Sequence, residues 1–109
     1  MTTAKGLAGT RCVHCGYRSF PWQDYGCESC GSERLARIEL RGAGTLVAAA
    51  TVHRHAGQDG AAPFTAVSVR LDDGPSVIGL LDHPGEPEPG VRVHAVRAGG
   101  EVRFAEEAA

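Results

Sequence analysis

Four cysteines, Cys12, Cys15, Cys27 and Cys30, constrain this 109-residue chain more than any other feature. Two residues separate Cys12 from Cys15, eleven separate Cys15 from Cys27, and two separate Cys27 from Cys30. A Cys-x-x-Cys turn presents two thiolates from one side, and two such turns brought together form the tetrahedral four-sulfur cage that zinc favours. The segment between them is long enough to fold back as a hairpin. Gly16 and Gly31 each follow the second cysteine of a pair, where a tight turn aims backbone N–H groups at sulfur. The expectation is a structural Zn2+ centre. Iron uses the same sulfur geometry, so the ligand set leaves iron open. Four cysteine ligands leave no open coordination position, which argues against a catalytic metal. His14, inside the first knuckle, reads as an exposed turn residue.

A chain this short has room for one domain, or for a small metal module and a compact barrel, but not for two independent cores. Its 15 Gly and 6 Pro predict many turns and few long helices. With a formal net charge of -2, it lacks the basic excess that drives nucleic-acid affinity through counterion release. The start, MTTAKGLAGT, has no long apolar core, and no later stretch approaches the roughly 18 apolar residues of a membrane-spanning helix. No membrane association is expected, and the expected location is cytoplasmic. There thiols stay reduced, and paired cysteines are metal ligands rather than disulfides.

The composition divides the chain into a flexible tail over 1–9, a zinc ribbon over 10–36, a barrel over 37–105 and an acidic tail over 106–109. From Arg37 to Arg41 apolar and charged residues alternate, as they do on a strand. Gly42 and Gly44 then read as a bulge or bend in one long first strand continuing to His53, with a helix through Ala48 to Ala50 the weaker alternative. Phe64 to Leu71 and Ser76 to Leu81 form a hairpin closed at Asp72-Asp73-Gly74-Pro75, the Asp-Gly step supplying the positive φ of a tight loop. Val91 to Arg97 and Glu101 to Phe104 complete the set. The fold class is mainly β: a four-cysteine ribbon followed by a five-stranded OB-type barrel without an exposed edge.

Outside the cysteines, chemistry-bearing residues are sparse. His53 and His55 bracket Arg54, an arrangement fit for a phosphate or a base, but a polar strand end entering a loop is the favoured reading. His83 and His94 lack a placed partner for a triad and read as surface residues; Asp72 and Asp73 fall in a turn, where Asp serves local backbone bonding. Tyr17, Phe20, Trp22 and Tyr25 concentrate aromatics between the knuckles, either packed on the barrel or forming a patch for a protein or the pantetheine arm of a coenzyme. Arg11, Arg18, Arg34 and Arg37 add positive charge there, fit for a coenzyme's phosphates or for balancing the acidic surface. No Gly-x-Gly-x-x-Gly and no phosphate-cradling Gly-Lys-Ser/Thr occurs.

In their order these parts resemble a known family: bacterial and archaeal proteins with a rubredoxin-like zinc ribbon followed by an OB-fold, which accompany thiolases and related acyl-CoA enzymes. The resemblance rests on Arg11-Cys-Val-His-Cys-Gly16, Phe20-Pro21, Cys27-Glu-Ser-Cys-Gly-Ser32, Gly42-Ala-Gly-Thr-Leu46 with Thr51-Val-His-Arg54, Pro63-Phe64, Leu71-Asp-Asp-Gly-Pro75 and Gly90-Val-Arg-Val93. It implies zinc ligation by the four cysteines and a non-catalytic accessory subunit in a hetero-oligomer with a thiolase-, synthase- or hydratase-type enzyme. It further implies contacts to that partner, or to a coenzyme A thioester, around Arg18, Phe20, Trp22, His53 and Arg54. Family members commonly carry helices before the ribbon, a second proline where this chain has Trp22, and a proline where it has Glu28. A single-stranded nucleic-acid-binding module is the alternative, since ribbons and OB barrels both serve that purpose; the charge balance argues against it.

Overall fold

A computed structural model describes residues 6–52, 64–83, 85–97 and 101–107. Strands β1 (Leu7–Cys12), β2 (Arg18–Ser19) and β3 (Leu35–Leu40) form a three-stranded antiparallel sheet in the order β2-β1-β3. Strands β4 (Ala43–Val52), β5 (Phe64–Leu71), β6 (Ser76–Leu81), β7 (Arg92–Arg97) and β8 (Arg103–Glu106) close into a barrel in the order β4-β5-β6-β8-β7. Among the described residues there is no helix, so none long and apolar enough to cross a membrane. The expected all-β ribbon and five-stranded barrel is the observed fold.

Period-two alternation explains the barrel. On β5, Thr65, Val67, Val69 and Leu71 point inward and are buried, while Ala66, Ser68 and Arg70 face out. Val77 on β6, Val93 and Ala95 on β7, and Phe104 on β8 fill the remaining interior. Leu7 of β1 and Leu40 of β3 belong to the same buried cluster, with Phe20 and Ile38 packed against it. The sheet and the barrel therefore share one core, the economy expected of a chain too short for two. The parallel β6–β8 pairing, Leu80 with Arg103 and Leu81 with Phe104, closes the barrel.

Several boundaries differ from expectation. Leu7 to Gly9, expected in the tail, belong instead to the strand Leu7–Cys12, whose first residue is only 1% exposed. The strand around Arg37–Arg41 does not run into the barrel; it pairs with β1, Leu7 opposite Leu40 and Gly9 opposite Ile38. At Arg41 the chain leaves one sheet for the other. The register shift on β4 falls between Leu46 and Ala48, at Val47 rather than at the glycines. Gly44 has a different task, since a Cβ there would run into the Arg70 carbonyl of β5. The Ala48 to Ala50 run is strand, paired with Ser68, Val67 and Ala66. β8 extends to Glu106, one residue into the expected acidic tail. The barrel closes as expected: β4 pairs with β7 at Ala43, Gly44 and Thr45, and the Leu46 N–H donates to the Val91 carbonyl at 2.9 Å. His94, expected at the surface, is 8% exposed on β7. It lies between Ala43 of β4 and Ala105 of β8, in the interior of a sheet whose neighbours are small.

The Asp72-Asp73 turn is a clasp. Arg92 of β7 donates to both Asp72 carboxylate oxygens, at 2.7 and 2.6 Å, and the Arg41 N–H donates to Asp73 Oδ2 at 2.7 Å. Gly74 closes the turn with φ 116. The hydrogen bonds from Arg92 hold the Asp72 carboxyl below its ordinary value.

A carboxylate whose folded value is depressed stabilises above its unfolded range and loses that contribution as the pH falls through the folded value. Nuclear magnetic resonance titration of Asp72 should therefore show a midpoint below the usual carboxylate range, returning to it in Arg92→Ala. Because both side chains are nearly half exposed, that variant should lower stability by no more than about 1 kcal/mol. Gly44→Ala should cost more, about 1–3 kcal/mol in urea unfolding, since backbone and not a pliable side chain must yield.

Candidate metal centre

Two copies of one backbone device bring the cysteines together. In the first, the Gly16 N–H donates to the Cys12 carbonyl at 2.9 Å; in the second, the Gly31 N–H donates to the Cys27 carbonyl at 2.9 Å. Gly16 and Gly31 hold φ of 83 and 80, which side chains rarely adopt. Each turn wraps a sulfur: the Cys15 N–H points at Cys12 Sγ at 3.4 Å, and the Ser29 and Cys30 N–H groups point at Cys27 Sγ at 3.3 and 3.4 Å. Cys12 ends β1, and the Val13 N–H donates to the Arg34 carbonyl beside the start of β3, so sheet pairing holds the two knuckles in place.

Between the knuckles, Thr10 and Gln23 do the anchoring. Thr10 is 2% exposed; its hydroxyl donates to the Pro21 carbonyl at 3.2 Å and accepts from the Gln23 N–H at 2.9 Å. The Gln23 side chain accepts from the Tyr25 N–H at 2.7 Å and donates to the Gly26 carbonyl at 2.7 Å, handing the chain to Cys27. Sequence reasoning missed both residues. Neither type stands out by periodicity, and only the need to satisfy a long connection's backbone groups points to them.

All four Sγ atoms lie within 4.8 Å of one another, with Cys12 and Cys30 sulfurs at 3.7 Å and Cys15 and Cys27 sulfurs at 3.6 Å. A tetrahedral ion with metal–sulfur bonds of about 2.3 Å requires sulfur–sulfur edges of about 3.8 Å, so the geometry fits. Electrostatics fits too. The Cys15 N–H lowers the Cys12 thiol to about 6 against the opposing effect of burial, and the Cys30 N–H likewise lowers Cys27. At Cys30 the Ser32 N–H also favours thiolate, but burial and the three neighbouring sulfurs outweigh it and push the thiol up to about 12. A cation at the centre would be needed to hold all four sulfurs as thiolates together. These residues would hold a divalent metal, which supplies a cross-link between the knuckles.

His14 is exposed in the first knuckle and is not among the clustered ligands. Arg18 is exposed on β2, Phe20 and Trp22 are half-buried, and the Trp22 N–H donates to the Ala8 carbonyl at 3.1 Å. Arg18 and Phe20 line one cleft with Tyr17 and the Gly74 to Ser76 turn. Tyr25, 84% exposed, points to solvent. His53 and Arg54 lie outside the described residues.

The family model for the C-terminal OB-fold domain of ChsH2 matches residues 37–105. The chain belongs to that family. The match begins in β3, so the unit it marks includes the strand linking the sheet to the barrel. One similar solved structure is described as an Ltp2-ChsH2(DUF35) aldolase, with TM-score 0.72 and 22% identity over 93% of this chain and 84% of that one. Another is a DUF35-family protein of unknown function from Sulfolobus solfataricus, with TM-score 0.69 and 17% identity over 94% of this chain and 76% of that one. At such identities the likeness speaks to the fold. No curated protein matches the chain significantly.

Replacing Cys27 with Ser should lower bound metal from about one ion per chain to near none and depress the melting temperature, as read by elemental analysis and calorimetry. Metal binding requires deprotonated thiols. The centre should therefore lose its metal progressively as the medium is acidified, since protons compete with the ion for the four sulfurs.

Proposed function

We propose that this chain is a non-catalytic accessory subunit of a hetero-oligomeric enzyme that processes acyl-CoA substrates, its partner an aldolase- or thiolase-type chain. Family membership carries the reading, together with a structural neighbour described as an aldolase of Ltp2 and ChsH2. The four-cysteine centre suits a structural zinc ion, with no position left for substrate. The carboxylates of the Asp72-Asp73 turn are engaged in the clasp, which supports a structural role for them. Paired cysteines kept as metal ligands suit a cytoplasmic protein. The single-stranded nucleic-acid reading gains nothing from the outward barrel face, whose middle, Ala48, Ala66 and Ile78, is aliphatic rather than aromatic and basic.

Co-expression with each aldolase- or thiolase-type enzyme of the same genome, followed by size-exclusion chromatography, tests the proposal. One of them should co-elute with the chain in a fixed ratio and turn over its acyl-CoA substrate faster than it does alone, while the isolated chain turns over nothing. A free chain in every co-expression, or turnover by the chain itself, contradicts the proposal.

A further inference from the structure

The outward face of β4, β5 and β6 carries an aliphatic strip. Ala66 of β5 stands opposite Ala50 and Leu80, and Ser68 stands opposite Ala48 and Ile78, so these side chains share one face. Ile78 is 79% exposed. The hollow over Ala48, Ala50 and Ile78 continues, through Ala66 and Ile78, into a groove bounded by Phe20, Pro21 and Leu80. Phe20 in turn borders the cleft between β2 and the Gly74 to Ser76 turn. One trough thus runs from the barrel to the metal-bearing sheet.

Its far end is cationic. Arg11 of β1 lies directly opposite Arg18 of β2, beside the rung in which the Cys12 N–H donates to the Tyr17 carbonyl at 2.9 Å. Residues so opposed have Cβ atoms about 4.5–5.5 Å apart, and like charges placed there destabilise a sheet. Both share the barrel-facing side of the sheet with Leu7 and Leu40. Arg70, opposite Ser76, adds a third cation on the strip's own face. Among the described residues, none of the three makes a side-chain hydrogen bond or ion pair. The nearby acids are mostly engaged: Asp72 and Asp73 in the clasp, and Glu101 with Arg103. Glu28, which lines the cleft, is the exception.

We infer that this trough is where the partner enzyme docks, through a segment that lays an apolar side chain over Ile78 and places Asp or Glu carboxylates between Arg11 and Arg18. The inference rests on the accessory-subunit reading. An apolar centre with charges at its rim is the anatomy of a protein interface, and a carboxylate between two opposed guanidinium forks turns repulsion into charge-assisted hydrogen bonding. A second copy of the chain fits less well. A two-fold contact brings the same face to itself, and among the described residues lining the trough the carboxylates are Glu28 and the Arg103-bound Glu101.

The test titrates the enzyme found by co-expression with the unmodified chain, Ile78→Asp, the double variant Arg11→Glu/Arg18→Glu, and Glu106→Lys on β8 as a control. Circular dichroism and metal content verify folding. Should the double variant misfold, Arg11→Gln/Arg18→Gln replaces it and is read by its salt dependence. Both trough variants should bind at least about tenfold more weakly, the control should bind normally, and loss of the arginines should flatten the dependence on salt. Tight binding by the unmodified chain with trough variants within about twofold of it overturns the docking face and leaves the accessory role standing. No binding by the unmodified chain removes both. Self-association of the chain alone, abolished by Ile78→Asp in sedimentation, assigns the trough to a second copy and also overturns the inference.

Discussion

Four sulfur atoms within 4.8 Å of one another form a cage suited to a cation, and the sheet and barrel are joined around that cage. The backbone N–H groups of the knuckles draw two of the thiols toward thiolate, while crowding drives Cys30 the other way. A metal at the centre would remove this conflict and join the end of β1 to the turn that precedes β3. The join matters because the β1–β3 pairing is what delivers Leu7 and Leu40 to the barrel core. Metal, sheet and barrel therefore form one stability problem rather than three.

The barrel shows the same economy. The turn after β5 does two jobs, gripping β7 through Arg92 and the start of the β3–β4 connection through Arg41. Neither contact is deeply buried, so each contributes little by itself. Their value is positional: they hold the Gly74 to Ser76 turn beside β2, where it forms one wall of the cleft that Arg18 and Phe20 line.

Much of this was legible before any coordinates. The cysteine spacing announced the centre, and alternation at Phe64–Leu71 and Ser76–Leu81 gave both strands their observed limits. What stayed hidden was partnership. Alternation marks Ile38 and Leu40 as a strand face but cannot say that β1, rather than a barrel strand, lies alongside, and the first half of β1 hid in what read as a tail. His94 looked exposed because a sequence does not show that small alanines flank it on both sides. The opposition of Arg11 and Arg18 depends on the register of a two-residue strand, for which no local signal exists.

The sheet that a metal at the four cysteines would hold also carries Arg11 and Arg18, so the proposed docking trough would depend on the centre. X-ray absorption at the metal edge of protein purified without added metal tests this account at its root. It predicts a zinc edge with four sulfur scatterers at about 2.3 Å and no nitrogen or oxygen neighbour. A spectrum showing light-atom ligands in the first shell, or protein that is folded and metal-free, would contradict it.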